Sequence, residues 1–239
     1  MLAVLAAAAA FSIGAAAERT VHVFNVNGRD IPIYSVERPD KKIALTFDCA
    51  WGDEDIDAIL TTLERYNCRA TFFVTGEWAE RCGDALKKIH DAGHEIGNHS
   101  YNHADYTKLS AQDITADLDK ADAVIEGVTG EKPSLARAPS GGYNNTVITA
   151  IEDSGRLCIQ WSVDGIDYGD ADAQSIYDRC VKNTREGDII LLHNGTKNTA
   201  NVLPKILEAL ECGFEFSSVS DLIYHENYTV DAAGRQFPK

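Results

Sequence analysis

Short hydrophobic runs alternate with stretches of helical periodicity over most of this chain. The runs are nearly continuous in hydrophobic residues, which is typical of strands buried on both faces of a parallel sheet. They cover residues 43–48, 70–75, 95–98, 135–138, 157–163, 188–193 and 215–219. Amphipathic helices are predicted between them, over residues 55–66, 85–92, 110–128, 146–154, 173–183 and 199–210. About seven βα units predict a single α/β domain, as a closed or nearly closed barrel in preference to an open doubly wound sheet.

The first 40 residues follow a different pattern. Residues 2–17 are apolar apart from Ser12 and end in Ala15-Ala16-Ala17, as an export signal does before its cleavage site. We therefore expect residues 1–17 to be a signal peptide or an N-terminal anchor of an exported, extracellular or cell-wall-associated protein. No Lys or Arg precedes this apolar run, and an apolar first helix packed on the domain is the alternative.

Alternation of apolar and polar residues over 21–36, around Asn27-Gly28, predicts a β-hairpin with a type I′ turn. The expected organisation is therefore a hairpin and link over residues 18–40, the main domain over 41–225 and a C-terminal tail over 226–239.

Composition narrows the choice of partner. The chain has 239 residues, and its net charge of −15 comes from 22 basic and 37 acidic residues. Nucleic-acid binding depends on neutralising phosphates with Lys and Arg, so this charge argues against it, and also against anionic surfaces and polymers. The sequence contains no GxGxxG or Walker motif, which leaves nucleotide binding without support. We expect a monomer that acts on a neutral or weakly charged substrate and has no integral membrane partner.

Six cysteines are enough for three disulfides, with fifteen possible pairings, but their spacing contains no CxxC. In an exported protein some of them could pair, whereas in a reducing compartment all could be buried thiols. Cys158 lies inside an apolar strand and is most simply a core residue.

Polar residues follow one another at the carboxyl ends of the predicted strands, where barrel enzymes keep their catalytic groups. In chain order they are Asp48, His99, His103, Arg137, Asp164, Asp167 and His193. One such residue is usually only a surface transition, but a series of carboxylates, imidazoles and a guanidinium predicts a site.

His99 and His103 are four residues apart, a spacing that on a helical turn presents two imidazoles to one metal ion. Two histidines at this spacing also occur by chance in many proteins. The other strand ends are what favour the metal interpretation.

The ordered set of motifs resembles the polysaccharide deacetylases, the chitooligosaccharide (NodB-like) deacetylase domain of carbohydrate esterase family 4. The motifs are Thr46-Phe47-Asp48, His99-Ser100-Tyr101-Asn102-His103, Arg137-Ala138-Pro139-Ser140-Gly141, Asp164-Gly165-Ile166-Asp167-Tyr168 and Leu191-Leu192-His193. The resemblance covers residues 42–220 and implies a distorted (β/α)7-type barrel. It also implies removal of N-acetyl groups from chitin-type or peptidoglycan glycans with one divalent metal, often zinc, with cobalt or manganese as alternatives.

Site roles follow from the resemblance, residue by residue. His99 and His103 match the metal-binding imidazoles, Asp48 the general base, and His193 the general acid. Arg137 matches the residue that holds the base, and Asp167 the one that orients the acid. In addition, the backbone N–H of Ser140 matches the oxyanion donor, and Leu191 would line the acetyl methyl pocket.

Three positions depart from the pattern of the family. Cys49 stands where many members have a second Asp as a metal ligand. Its thiolate could bind zinc, but a buried structural thiol is the simpler interpretation, and Asp53 is a tentative substitute ligand. A site of two His and water, with lower metal affinity, is a further alternative. Ser140 replaces a common Tyr, and Tyr168 replaces a frequent Trp.

Aromatic residues beside the motifs could line a sugar-binding groove, because aromatic faces stack on pyranose rings. The candidates are Trp51, Tyr101, Tyr106, Tyr143, Trp161 and Tyr168, of which Trp161 could equally be core. We therefore predict a glycan N-deacetylase, with peptidoglycan as the preferred substrate. The alternatives are a hydrolase of small or cyclic amides on the same barrel and a catalytically weak glycan-binding relative.

Overall fold

A curled, mostly parallel sheet carries the carboxyl ends of its strands to one side of the molecule. The structure is a computed structural model that describes residues 25–26 and 28–239. The strands are β1 Asn25–Val26, β2 Arg29–Asp30, β3 Ser35–Val36, β4 Lys42–Cys49, β5 Thr71–Val74, β6 Glu95–Asn98, β7 Leu135–Ala136, β8 Leu157–Cys158, β9 Val163–Asp164, β10 Ile189–His193, β11 Glu215–Ser217, β12 Tyr228–Val230 and β13 Arg235–Pro238. The helices are α1 Ile56–Arg65, α2 Gly76–Arg81, α3 Gly83–Asp91, α4 Ala111–Thr129, α5 Asn145–Asp153, α6 Ala173–Asn183, α7 Thr199–Glu211 and α8 Val219–Leu222.

The central sheet runs in the order β8-β7-β6-β5-β4-β10-β9, and all of these neighbours are parallel. Strand β4 is the longest, and its first residues pair with β11 while its last residues pair with β5. Helices connect successive strands, as the alternation of patterns predicts. The predicted distorted (β/α)7 barrel is confirmed.

Alternate residues of β4 point to opposite sides of the sheet. Ile43, Leu45, Phe47 and Cys49 belong to the core cluster that includes the buried faces of α1, α3 and α7. The other set ends in Asp48, which faces the interior of the curl together with Arg137. A strand places successive side chains on opposite faces, so this strand supplies both the core and the site.

An N-terminal segment fills the opening between the two ends of the sheet. Ile33 donates from its N–H to Cys158 O and accepts from Gln160 N, at 2.9 and 2.7 Å. Further along, Val36 donates to Gly187 O at 2.8 Å. For this reason the predicted strand 157–163 is two short strands, β8 and β9, with residues that bond to this segment between them. The end strands β8 and β9 do not pair directly in the central sheet.

The predicted hairpin is present, with Asn25 opposite Asp30 and Val26 opposite Arg29, and with Gly28 at a φ of 82°. The predicted signal segment, residues 1–17, lies outside the described residues. Among those described, no helix combines the length and hydrophobicity needed to cross a bilayer.

Residues 226–239 differ from the predicted tail. They contain β12 and β13, and β13 also pairs in parallel with β3, so both ends of the described chain share one small sheet. Gln236 explains the docking, because its buried side chain exchanges two hydrogen bonds with the backbone of Tyr224.

All six cysteines are free thiols in this structure, with Cys49, Cys68, Cys158 and Cys180 buried, Cys82 half-buried and Cys212 exposed. The buried-thiol alternative therefore describes four of them, including Cys158.

Candidate active site

Two neighbouring strands bring the predicted base and acid together. Strands β4 and β10 are parallel, and their register pairs Asp48 directly with His193. The carboxyl ends of β6, β7 and β9 add the His99 motif, Arg137 and Asp164 to the same edge.

Asp48 is held by a completely buried arginine. Arg137 donates from Nη1 to Asp48 Oδ1 at 2.6 Å and to Thr46 Oγ1 at 2.9 Å, and from Nη2 to Gln160 O at 3.1 Å. Its guanidinium carbon lies 4.1 Å from the centre of the Phe73 ring. Burial alone would raise the pKa of Asp48, but the charges of Arg137 and the nearby histidines outweigh burial and lower that pKa. Asp48 is therefore a carboxylate, able to accept a proton.

His193 is held as a proton donor by Asp167. Asp167 Oδ1 accepts from His193 Nδ1 at 2.7 Å, and Oδ2 accepts from the His193 backbone N–H at 2.7 Å. Burial would lower the pKa of His193, but the bond to Asp167 and the charge of Asp48 outweigh it and raise that pKa. A raised pKa favours the imidazolium, the form that a general acid needs.

The tautomer of His99 follows from its hydrogen bond. Its Nδ1 lies 2.9 Å from the carbonyl oxygen of Arg137, which can only accept, so Nδ1 carries the proton. Burial lowers the pKa of His99 to about 4, so at neutral pH Nε2 keeps its lone pair. That Nε2 faces Asp48 Oδ2 at 3.4 Å. A neutral imidazole with its lone pair on Nε2 is the form that can bind a metal ion.

His103 lies beside His99, with the ring centres 5.0 Å apart, and the pair lies in a loop after β6 and not on a helical turn. Ser100 and His103 have φ values of 71° and 58°, outside the helical region. Local hydrogen bonds hold this loop, because Ser100 N donates to Asn98 Oδ1 and His103 N donates to Ser100 Oγ, both at 2.8 Å.

Helix α4 anchors the same loop from behind. Asp117 Oδ1 accepts from Tyr101 N at 2.8 Å and from the Tyr106 hydroxyl at 2.6 Å. Asn98 donates to Asp122 at 2.6 Å. The sequence analysis did not predict the roles of Asp117 and Asp122, because the acidic residues of α4 resemble an ordinary solvated face. The only sequence signal of these two residues is their spacing of five positions on one helix.

The two alternatives for a third protein ligand find no support in this geometry. Cys49 lies in the core on the face of β4 opposite Asp48, and burial, with the charge of Asp48, raises the pKa of its thiol. Asp53 is exposed at the start of α1 and does not join the histidines. Within the described part of the chain, no group of three or more His, Cys, Asp or Glu is arranged to hold a metal ion. The two imidazoles that the structure brings together at this edge are those of His99 and His103.

Trp51 and Tyr168 flank the predicted acid. Their ring centres lie 5.4 and 5.5 Å from that of His193, and the residues are 48% and 46% exposed. They are the large hydrophobic side chains that the described surface exposes most. Both are therefore free to contact a substrate beside the acid.

The other predicted contact residues divide into two groups. Ser140 is exposed with a φ of 54°, Leu191 is buried in β10, and Tyr143 is half-buried with its hydroxyl 3.3 Å from that of Tyr34. Their predicted roles stay predictions. Tyr106, by contrast, is a core residue bound to Asp117, and Tyr101 bonds to Glu80 on α2.

Similarity to known proteins decides the family. The polysaccharide deacetylase family profile matches residues 35–158, which include Asp48, His99, His103 and Arg137. This chain belongs to the polysaccharide deacetylase family. The prediction made from the five motifs is confirmed at this level.

Most of this chain is matched by two curated relatives. It is 33% identical over 193 residues to the uncharacterized protein YlxY of Bacillus subtilis, matching 80% of this chain and 60% of YlxY. It is 32% identical over 200 residues to a peptidoglycan-N-acetylglucosamine deacetylase of Bacillus cereus, matching 81% of this chain and 93% of that protein. The chain therefore spans less than two thirds of YlxY but nearly all of the B. cereus protein.

Among solved structures, this chain resembles a CE4 family pseudoenzyme from Bacillus anthracis. The TM-score is 0.77 at 32% identity, with 81% of this chain and 69% of that chain covered. The fold is thus shared by a named deacetylase and by a named pseudoenzyme.

Proposed function

We propose that this chain is a metal-dependent hydrolase that removes N-acetyl groups from a cell-wall or chitin-type polysaccharide, most simply peptidoglycan. One observation carries the proposal: Asp48 and His193 are register partners on adjacent strands, and each is bonded to a separate buried residue, Arg137 or Asp167, that favours the protonation state its role needs. A binding protein has no need for a matched base and acid.

Acetamide hydrolysis needs a proton acceptor for the attacking water and a proton donor for the departing amine. Asp48, kept ionised by Arg137, would accept the proton from water. His193, whose imidazolium form is favoured by Asp167, would donate a proton to the amine nitrogen and so make it a good leaving group. Pairs of titratable groups with pKa values pushed apart are typical of such acid–base assignments.

A divalent cation would be held by His99 and His103, and it would supply Lewis-acid chemistry by lowering the pKa of water and polarising the acetyl carbonyl. The support is the free lone pair of His99 Nε2 opposite Asp48 Oδ2. With two protein ligands we expect weaker zinc binding than in sites with three, and cobalt or manganese could replace zinc.

The preference for an uncharged glycan is supported by charge and by aromatic surface. A net charge of −15 opposes strongly anionic polymers. The exposed rings of Trp51 and Tyr168 beside His193 offer faces for pyranose stacking. A relative named as a peptidoglycan-N-acetylglucosamine deacetylase supports peptidoglycan as the polymer. The proposed location is outside the cell, for which the apolar segment 2–17 is the support.

A catalytically weak glycan-binding member is the second candidate. Cys49 in the core and the similarity to a pseudoenzyme favour it. The intact set of Asp48, Arg137, Asp167 and His193 argues for the enzyme.

The test is acetate release by the purified chain from peptidoglycan and from chitin oligomers, after EDTA treatment and after zinc, cobalt or manganese is added back. Metal-restored release from either polymer supports the proposal and identifies the substrate. If no metal restores release but the glycan is bound, the second candidate is correct. Asp48→Asn, which keeps the volume of the base, should abolish release and retain binding. Release from small or cyclic amides alone would instead identify an amide hydrolase.

A further inference from the structure

We propose that Thr199 is a positioning residue of this site, whose buried hydroxyl fixes the carboxylate of Asp167 and through it the imidazole of His193. The inference rests on the proposed function for its kinetic consequence, but its structural part can be tested without any activity. None of the five sequence motifs contains Thr199, which lies six residues beyond His193 at the start of α7.

The carboxylate of Asp167 is bound at both oxygens. Within the described part of the structure, Oδ1 accepts one hydrogen bond, from the ring of His193 at 2.7 Å. Oδ2 accepts from the His193 backbone N–H at 2.7 Å and from Thr199 Oγ1 at 2.5 Å. Asp167 and Thr199 are both almost completely buried, so water cannot easily replace the hydroxyl. Two bonds at Oδ2 set the plane of the carboxylate, and that plane aims Oδ1 at the ring.

A second hydroxyl orients the first. Thr199 Oγ1 lies 2.5 Å from Thr196 Oγ1, and either atom could be the donor on distance alone. A carboxylate only accepts, so the single proton of Thr199 is committed to Asp167. Thr196 must then donate to Thr199, and the proton order runs from Thr196 through Thr199 to Asp167. Donating hydrogen bonds in such a chain polarise and strengthen one another.

The hydrogen bond from Thr199 to Asp167 is important because the surroundings of this carboxylate are acidic. The groups that face His193 are Asp167, Asp48 and Asp164, all acidic, together with the rings of Trp51 and Tyr168. Among the described residues, His193 is the one cationic partner that the structure places within ion-pair distance of Asp167. The buried carboxylate therefore depends on hydrogen-bond donors, and Thr199 is the side-chain donor besides His193 itself.

Thr199→Val tests the hydroxyl, since it keeps the branched shape and removes only the donor. We expect kcat for acetate release to fall about 10- to 100-fold, the range for partners that orient a catalytic group, with KM changed less than about 3-fold. Thr199→Ser keeps the donor and should retain kcat within about 3-fold of wild type. Thr62→Val is the matched control, because Thr62 is also buried and bonds only to Ala58 O within its own helix, at 2.9 Å.

NMR gives a readout that a merely structural role would not move. The Nδ1–H proton of His193, bonded to Asp167, should resonate far downfield in the wild type and in Thr199→Ser and Thr62→Val. In Thr199→Val it should move upfield or be lost to solvent exchange. This arm needs no substrate, so it decides the positioning role even if the wild type releases no acetate.

The outcomes are separable. A wild-type His193 resonance or wild-type kcat in Thr199→Val would overturn the proposal, as would a Ser variant as impaired as the Val variant. If Thr199→Val does not fold, Thr196→Val replaces it, because that change removes the donor to Thr199 without touching Asp167. It should shift the same resonance in the same direction by a smaller amount, and an unshifted resonance would overturn the proposal.

Discussion

Arg137 Nη1 donates to Asp48 Oδ1 at 2.6 Å from a position with no solvent exposure, so the carboxylate of Asp48 is stabilised by a neighbouring charge that water does not screen. The same nitrogen donates to Thr46 Oγ1, whose hydroxyl in turn donates to Ile190 O at 2.8 Å. Arginine is suited to this place because its planar fork donates in several fixed directions, which an ammonium group cannot do.

Arg137→Lys should therefore impair the base as well as its position. Arg137 reaches Asp48 and Thr46 from Nη1 and Gln160 O from Nη2. The shorter lysine has a single nitrogen and cannot take both positions, so the pKa of Asp48 should rise toward that of an ordinary carboxyl. Because Asp48 acts ionised, activity would then be lost at a higher pH on the acid side, and the acid limb of the kcat/KM profile should move to higher pH. At neutral pH we expect a loss of about 100-fold, as for other impaired general bases.

The measurement is the pH dependence of acetate release. Arg69→Lys is the control, because Arg69 is half-exposed and its ion pair with Asp221 lies outside the site. An unmoved acid limb in Arg137→Lys would show that Arg137 does not set the ionisation of Asp48.

Cys49→Ala should leave metal binding unchanged. Cys49 packs in the core on the face of β4 opposite Asp48, so we expect zinc affinity within about 3-fold of wild type and a destabilisation of about 1–2 kcal/mol from the small cavity. Zinc titration calorimetry and urea unfolding measure the two effects. Cys158→Ala, a buried strand thiol elsewhere, is the control. A loss of zinc affinity above 10-fold in Cys49→Ala alone would make Cys49 a ligand.

Asp117→Ala should weaken metal binding without touching a ligand. Asp117 holds Tyr101 N and the Tyr106 hydroxyl, and so fixes the loop that carries His103. We expect zinc affinity to fall about 10-fold, as for other supports behind metal-binding histidines. Asp113→Ala, at the start of the same helix but bonded to Ser110, is the control. Equal affinities in the two variants would show that α4 does not position the histidines.

The sequence is sufficient to predict the barrel and most of this site. The features that it does not predict have physical causes. Hydrophobic runs mark buried parallel strands, so β4, β6 and β10 and their terminal residues Asp48 and His193 can be found. The loop conformation of His99 and His103 could not be predicted, because it depends on the side chains of Asn98 and Ser100, which accept from the loop backbone and stabilise positive φ values. The side of the sheet on which Cys49 lies depends on register, which the resemblance does not fix. Thr199 was missed because a buried hydroxyl leaves no periodic or motif signal.

The strands over 226–239 were missed for a different reason. Their stability comes from pairing with β3, nearly 200 residues away, and from the bonds of Gln236 to Tyr224. Local propensity carries little of that information, since sheet stability depends on the neighbour.

Stability should fall as pH rises from about 4.5 to about 8, because of a carboxyl group remote from the acid–base pair. Glu152 on α5 is buried, its Oε2 has no hydrogen-bond partner among the described residues, and burial, with the charges of Asp30 and Asp153, raises its pKa to about 8. The folded state therefore binds a proton that the unfolded state releases near pH 4.5. This stabilisation is fully present below pH 4.5, decreases as pH rises, and is gone above the folded pKa of about 8. From pH 5 to 9 we expect the free energy of unfolding to fall by about 2–4 kcal/mol from this group.

Glu152→Gln is neutral at every pH and should therefore reduce this dependence of the free energy of unfolding on pH. Glu126→Gln, at an exposed position of α4, should leave the dependence unchanged. Urea unfolding at pH 5, 7 and 9 gives the free energy of unfolding of the wild type and both variants. If that free energy changes equally with pH in the wild type and in Glu152→Gln, Glu152 is ionised in the folded protein.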